Sequence, residues 1–84
     1  MQVVYSKNAK KDRIYWENNN PDIIRRIDKL LADIREHPFS GIGKPEALKF
    51  EKSGYWSRRI NQEHRLIYKV VQKKIYILQC RYHY

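Results

Sequence analysis

Eighty-four residues suffice for one small hydrophobic core, and 42% hydrophobic with 32% charged residues is too apolar a balance for a disordered chain. The chain has no apolar run near the roughly 20 residues of a membrane helix, and its start lacks the apolar segment of a secretory signal. We therefore expect one domain over residues 1–84, in the cytoplasm, with no membrane partner.

The net charge is +9, and residues 41–84 carry ten Lys or Arg against three Asp or Glu. Such a basic, tyrosine-rich half favours nucleic-acid binding, although solubility alone would also explain the charge.

The first half of the chain predicts one strand and two helices. A short strand rich in β-formers is predicted at Gln2–Tyr5, and a helix follows from about Lys7 to Asn18. Pro21 suits the first position of a second helix, which His37 ends because a proline follows it. The apolar residues of this helix recur at helical period and form one core-facing stripe: Ile23, Ile24, Ile27, Leu30, Leu31 and Ile34.

The second half predicts a loop and then a series of short strands. The loop covers Phe39–Ala47, where glycine and proline recur. The predicted strands are Leu48–Phe50, Tyr55–Asn61, Arg65–Val71 and Ile75–Arg81. The last two are apolar at both parities, which is typical of central strands covered on both faces. The predicted fold class is α+β, with the N-terminal strand and two helices packed on one face of a mainly antiparallel sheet.

Residue types at the ends of these elements suit metal-free RNA cleavage. The sequence has no zinc-ligand spacing and no P-loop glycine pattern, so we expect no metal and no cofactor. Cleavage then needs a base for the ribose 2′-hydroxyl, a cation for the phosphorane and an acid for the leaving 5′-oxygen. The polar candidates in the basic half are Glu46, Lys49, Arg59, His64, Arg65, Arg81, His83 and Tyr84.

Each candidate also has an ordinary structural explanation. A loop glutamate such as Glu46 is usually only solvated, and Arg65 could form a surface ion pair of little energetic value. For His64, hydrogen bonding at a turn or strand edge is a better explanation than chemistry. Arg58 and Arg59 lie on opposite faces of one strand, so only one can face a cleft, and we expect Arg58 to serve the surface or a partner.

Several motifs together give the chain a resemblance to a known family. They are GKPE at 43–46, SRRI at 57–60, EHRL at 63–66 and CRYHY at 80–84. In this combination the chain is similar to the YoeB (also called Txe) toxins of the RelE superfamily, over nearly its whole length. The resemblance implies a RelE-like α+β fold and a ribosome-dependent endoribonuclease, which cleaves mRNA in the decoding site and blocks translation.

The resemblance also implies roles for individual residues. Glu46 matches the family's general base, Arg65 the phosphate-stabilising arginine and His83 the general acid. The substrate-binding residues that it implies are Lys49, Arg59 and Tyr84.

The partners implied by the resemblance are a YefM-type antitoxin, the small ribosomal subunit and mRNA. Operator DNA would be reached only through the antitoxin, and a homodimer is possible. Two other functions stay open: a RelE-superfamily toxin that only binds its target, and an RNA-binding module without nuclease activity. The joint presence of Glu46, Arg65 and His83 argues against the binding-only toxin, because pure binding needs no acid–base pair. For the RNA-binding module the test is chemical, namely whether mRNA is cut on translating ribosomes.

The proposed cleft makes one geometric demand on the sheet. If Arg59 and Arg65 face the same cleft, the connection between them must keep odd-numbered residues on one face. A two-residue turn at Gln62-Glu63 would not do so, and we therefore predict a longer loop or a bulge there.

Overall fold

The computed structural model describes residues 1–82, in which two helices cover one face of a five-stranded sheet. The helices are α1 (Lys7–Asn19) and α2 (Pro21–Glu36), and the strands are β1 (Gln2–Tyr5), β2 (Glu46–Ala47), β3 (Trp56–Arg59), β4 (Arg65–Val71) and β5 (Lys74–Gln79). The strand order is β1-β5-β4-β3-β2, where β1 runs parallel to β5 and all other neighbours are antiparallel. This arrangement confirms the predicted α+β fold class.

The side chain of Ser6 caps the start of α1 and attaches the helix to the sheet. The Ser6 hydroxyl oxygen accepts a hydrogen bond from the Ala9 amide at 3.0 Å and donates one to the Leu78 carbonyl oxygen at 2.7 Å. Pro21 occupies the first turn of α2, as predicted. Neither helix of the described residues is long and apolar enough to cross a membrane.

The core lies between the helices and the sheet. The predicted stripe of α2 is confirmed, with Ile24 half-buried and the other five residues buried. It packs with four buried side chains of β4 and β5: Leu66, Tyr68, Ile75 and Ile77. Each aliphatic side chain buried in this core stabilises the folded state by about 1.5–3 kcal/mol. We call the sheet surface under the helices the helix face and the opposite surface the open face.

The prediction that the last two strands are covered on both faces is only partly right. Ile67 of β4 lies on the open face and is nevertheless 0% exposed. In contrast, Tyr76 of β5 remains half-buried, and the ammonium of Lys69 lies 5.8 Å from its ring centroid. The prediction therefore holds for the middle of β4 and fails along β5.

Two predicted strand positions are wrong. The strand expected at Leu48–Phe50 lies at Glu46–Ala47 instead, because Phe50 has a positive φ of 58° and begins a short 3-10 turn. The last strand ends at Gln79 rather than Arg81, because the Cys80 amide donates to Asp12 of α1 instead of joining the sheet. The other predicted elements are confirmed, with ends that differ by one to a few residues.

Candidate active site

The register of β2, β3 and β4 brings Glu46 and Arg65 to the open face beside one serine. Glu46 lies directly opposite Ser57, and residues opposite each other in antiparallel strands share a face. Arg65 donates from Nη1 to the Ser57 hydroxyl oxygen at 3.4 Å. The predicted carboxylate and guanidinium are thus both neighbours of Ser57, a side chain that is 0% exposed.

Arg59 joins this group because it lies directly opposite Arg65. The five-residue connection between β3 and β4 makes the pairing possible, and the prediction of a loop longer than a two-residue turn is confirmed. Within that loop, the Asn61 carboxamide oxygen accepts hydrogen bonds from the amides of Glu63 at 2.9 Å and His64 at 2.8 Å. This side-chain turn stabilises the wider loop.

The electrostatics of this cluster suit an anionic ligand. Two guanidinium groups directly across a strand pair repel each other, so their juxtaposition costs stability unless an anion lies between or near them. Arginine is well suited to phosphate, which its planar group can bind through two hydrogen bonds. Glu46 and Lys49 are both exposed and line an open groove of about 780 Å³ formed by residues 46–52. The cluster can therefore hold a phosphodiester with a carboxylate nearby.

Arg58 does not serve the surface, and that prediction is wrong. Its side chain is 0% exposed on the helix face, where Nη1 meets a carboxylate oxygen of Asp33 at 2.5 Å and Nε donates to the Tyr68 hydroxyl at 3.1 Å. Its guanidinium also donates to three loop carbonyl oxygens, those of His37, Ser40 and Ile42. The hydrogen bond from Arg58 lowers the pKa of Asp33. The buried guanidinium of Arg58 is tolerated here because its N–H donors form hydrogen bonds within the protein.

The segment before Glu46 is fixed by close backbone contacts. The Gly43 carbonyl oxygen accepts a hydrogen bond from the Arg59 amide at 2.7 Å. Gly43 has a φ of +81°, and a Cβ at this position would lie 2.8 Å from the Cδ2 atom of Leu30. Only glycine fits both the conformation and the space, which explains the glycine of the GKPE motif.

The remaining predicted site residues, His83 and Tyr84, lie outside the described residues. The segment that leads toward them contains Cys80, which is 0% exposed, as expected for a small apolar residue. Burial, with a contribution from Asp12, raises the pKa of its thiol to about 12. Such a thiol is poorly suited to nucleophilic chemistry.

Sequence reasoning assigned no role to Ser57 and none to the backbone of Tyr82. Ser57 supports Arg65, as described above, and its place in the SRRI motif was the available signal. The Tyr82 amide donates to Nδ1 of His64 at 2.7 Å. This contact agrees with the expectation that His64 forms hydrogen bonds near a turn. Within residues 1–82, no group of three or more His, Cys, Asp or Glu side chains could hold a metal ion.

Comparison with known proteins identifies the class first. A family model described as "YoeB-like toxin of bacterial type II toxin-antitoxin system" matches residues 5–84. The sheet, the two helices and this match together define a small α+β toxin of a type II system.

Individual relatives then identify the family. The toxin YoeB of Escherichia coli (strain K12) is 45% identical over 84 residues, which cover 100% of both chains. The solved YoeB/ParE toxin from Agrobacterium tumefaciens has a TM-score of 0.97 at 37% identity and covers 100% of both chains. Staphylococcus aureus YoeB, solved in a heterotetrameric complex with YefM and as a dimer, has a TM-score of 0.94 at 42% identity in both, covering 100% of this chain and 98% of its own. The chain belongs to the YoeB toxin family.

Proposed function

We propose that this toxin is a ribosome-dependent endoribonuclease, which cleaves mRNA in the decoding site of the small subunit and so blocks translation. The observation that carries the proposal is the register that gathers a carboxylate and two guanidinium groups on the open face, with Arg59 opposite Arg65 and Glu46 opposite Ser57. A surface built only for binding RNA has no need of the carboxylate, which repels phosphate.

In the proposed mechanism, Glu46 accepts the proton of the ribose 2′-hydroxyl as its oxygen attacks the adjacent phosphorus. Arg65 stabilises the negative charge that develops on the phosphorane oxygens. The bond from phosphorus to the 5′-oxygen then breaks, and His83 protonates that oxygen. The products are a 2′,3′-cyclic phosphate and a 5′-hydroxyl, so no external reactant is consumed.

The same proposal assigns substrate binding to three further residues. Lys49 and Arg59 contact backbone phosphates, where their charge contributes a salt-sensitive attraction. Tyr84 contributes an aromatic ring to the active cleft.

The proposed partners follow from the family and from its solved complexes. In this proposal a YefM-type antitoxin neutralises the toxin in the cytoplasm. Its support is that Staphylococcus aureus YoeB has been solved in a heterotetrameric complex with YefM. Operator DNA would be contacted only through that antitoxin. Homodimer formation is proposed because the Staphylococcus aureus toxin has been solved as a dimer.

Cleavage of a defined mRNA on programmed ribosomes tests the nuclease proposal. The Glu46→Gln and His83→Gln variants each remove one proton-transfer group at nearly constant size, and we expect the cleavage rate to fall about 10²–10⁴-fold in each. Glu17→Gln is the matched control, because this glutamate is exposed on α1, away from the open face. Intact mRNA with the unmodified toxin, at concentrations that saturate the ribosome, would instead support a toxin or module that only binds.

A further inference from the structure

At Cys80 the chain is held by side chains rather than by strand pairing. After β5 ends, the Cys80 amide donates to a carboxylate oxygen of Asp12 at 3.0 Å. The Cys80 carbonyl oxygen accepts a hydrogen bond from the indole of Trp16 at 2.8 Å. Both contacts come from α1, so the helix draws this segment away from the sheet.

At Tyr82 the chain returns to the sheet and is held from two sides. Its carbonyl oxygen accepts from the Arg65 amide at 3.1 Å, and its own amide donates to Nδ1 of His64 at 2.7 Å. Tyr82 has a positive φ of 65°, a conformation that is uncommon for a non-glycine residue. The His64 contact is therefore a structural constraint at the last described residue.

The direction of this hydrogen bond determines which ring nitrogen of His64 carries the proton. A backbone amide can only donate, so Nδ1 must be the acceptor and carries no proton. His64 is then neutral, with its proton on Nε2. Its ring is held edge-to-face against Trp16, with centroids 4.7 Å apart, and Trp16 is only 6% exposed. The imidazole is thus oriented by the core on one side and holds Tyr82 on the other.

We propose that His64 is a positioning residue for the C-terminal segment, with its Nδ1 lone pair anchoring the Tyr82 backbone beside Arg65. The consequence for catalysis rests on the proposed function. Tyr82 immediately precedes His83, the proposed general acid, in the sequence, and we propose that an anchored Tyr82 backbone supports that role. His64 itself is no proton-transfer group in this assignment, because its Nδ1 is occupied by the backbone.

Two variants that differ only in where they place an acceptor test the anchor. In His64→Asn, the carboxamide oxygen is the same number of bonds from Cα as Nδ1, whereas in His64→Gln it lies one bond further out. Both lose the ring contact with Trp16, so a difference between them reports the hydrogen bond. We expect His64→Gln to lower kcat for mRNA cleavage on ribosomes about 10²-fold with little change in KM. His64→Asn should recover most of that loss, and equal losses in both variants would overturn the positioning role.

Amide hydrogen exchange of Tyr82, measured by NMR on the full chain, tests the anchor without relying on nuclease activity. The Tyr82 amide should be protected in the unmodified protein and in His64→Asn, and should exchange rapidly in His64→Gln. Nitrogen chemical shifts of His64 should report a neutral ring with the proton on Nε2. A Tyr82 amide equally protected in both variants would refute the anchor itself. If the unmodified toxin cut no mRNA while the exchange pattern held, the nuclease proposal would fail and the anchor would stand.

Discussion

At the scale of single residues, Arg58 shows how one buried charge can organise a loop. Its five hydrogen-bond partners include Asp33 of α2, Tyr68 of β4 and the carbonyl oxygens of three residues between α2 and β2. These contacts join a helix, the sheet and the segment that leads to Glu46. Removal of one partner from such a buried group leaves the others unpaired, which costs much more than loss of a surface ion pair.

The neighbouring arginines provide a matched test of this difference. We expect Arg58→Met to lower the free energy of unfolding by about 3–5 kcal/mol, because Asp33 and the loop carbonyl oxygens lose their donor. Arg59→Met, one position along the same strand and exposed, should change it by about 0.5 kcal/mol or less. Urea unfolding followed by circular dichroism measures both. We call Arg58 and its five hydrogen-bond partners the Arg58 cluster. Similar losses in the two variants would show that this cluster does not stabilise the fold.

At the scale of elements, the path from α2 to β2 decides where Glu46 lies. This path passes close to the Leu30 side chain at Gly43 and pairs with β3 through the hydrogen bond from the Arg59 amide to the Gly43 carbonyl oxygen. Glu46 then enters the two-residue strand β2 opposite Ser57. The position of the proposed base therefore depends on a glycine contact three residues earlier.

Two glycine substitutions separate the conformational cost from the steric cost at this path. Gly54 has a φ of +94° with no atom within 4 Å of an added Cβ, so Gly54→Ala should cost only the left-handed backbone penalty of about 1–2 kcal/mol. Gly43→Ala meets the same penalty plus contact with Leu30 and Arg58, and should be clearly the less stable variant. Thermal and urea unfolding of the two proteins provide the comparison. Equal stability would contradict the close approach at Gly43.

The elements also show which features could be read from the sequence. The stripe of α2 predicted its buried face correctly, because helical period and apolar spacing are local properties. The strand β2 was misplaced, since two residues form a strand only through their pairing with β3. The end of β5 was also missed, because Asp12, 68 positions from Cys80, takes its backbone amide. Both errors come from tertiary contacts that no local pattern contains.

In the candidate site, too, some features could be predicted from the sequence and others could not. Strand alternation correctly predicted that Arg58 and Arg59 point to opposite faces, but not which face is buried. The demand that Arg59 and Arg65 share a face correctly predicted a longer connection. Glu46, Arg59 and Arg65 lie on the open face, and Lys49 lines a groove together with Glu46. Their catalytic and binding roles are proposals.

At the scale of the whole molecule, the two faces of the sheet have different tasks. The helix face buries the apolar stripe of α2 and the Arg58 cluster, and so provides stability. The open face carries Glu46, Arg59 and Arg65, and so can receive a ligand. Ten of the eighteen Lys and Arg residues fall in residues 41–84, a part of the sequence that includes the strands β2 to β5. This separation lets the site hold repelling charges on a scaffold stabilised from the other side.

The most direct test of the central claim is to remove the attacking hydroxyl from the substrate. The cut is first mapped on an unmodified mRNA in programmed ribosomes, and the nucleotide on its 5′ side is then replaced by its 2′-deoxy form. We predict that cleavage at this position is lost, while the unmodified mRNA yields a 2′,3′-cyclic phosphate and a 5′-hydroxyl. Cleavage of the deoxy substrate at an undiminished rate would contradict the account.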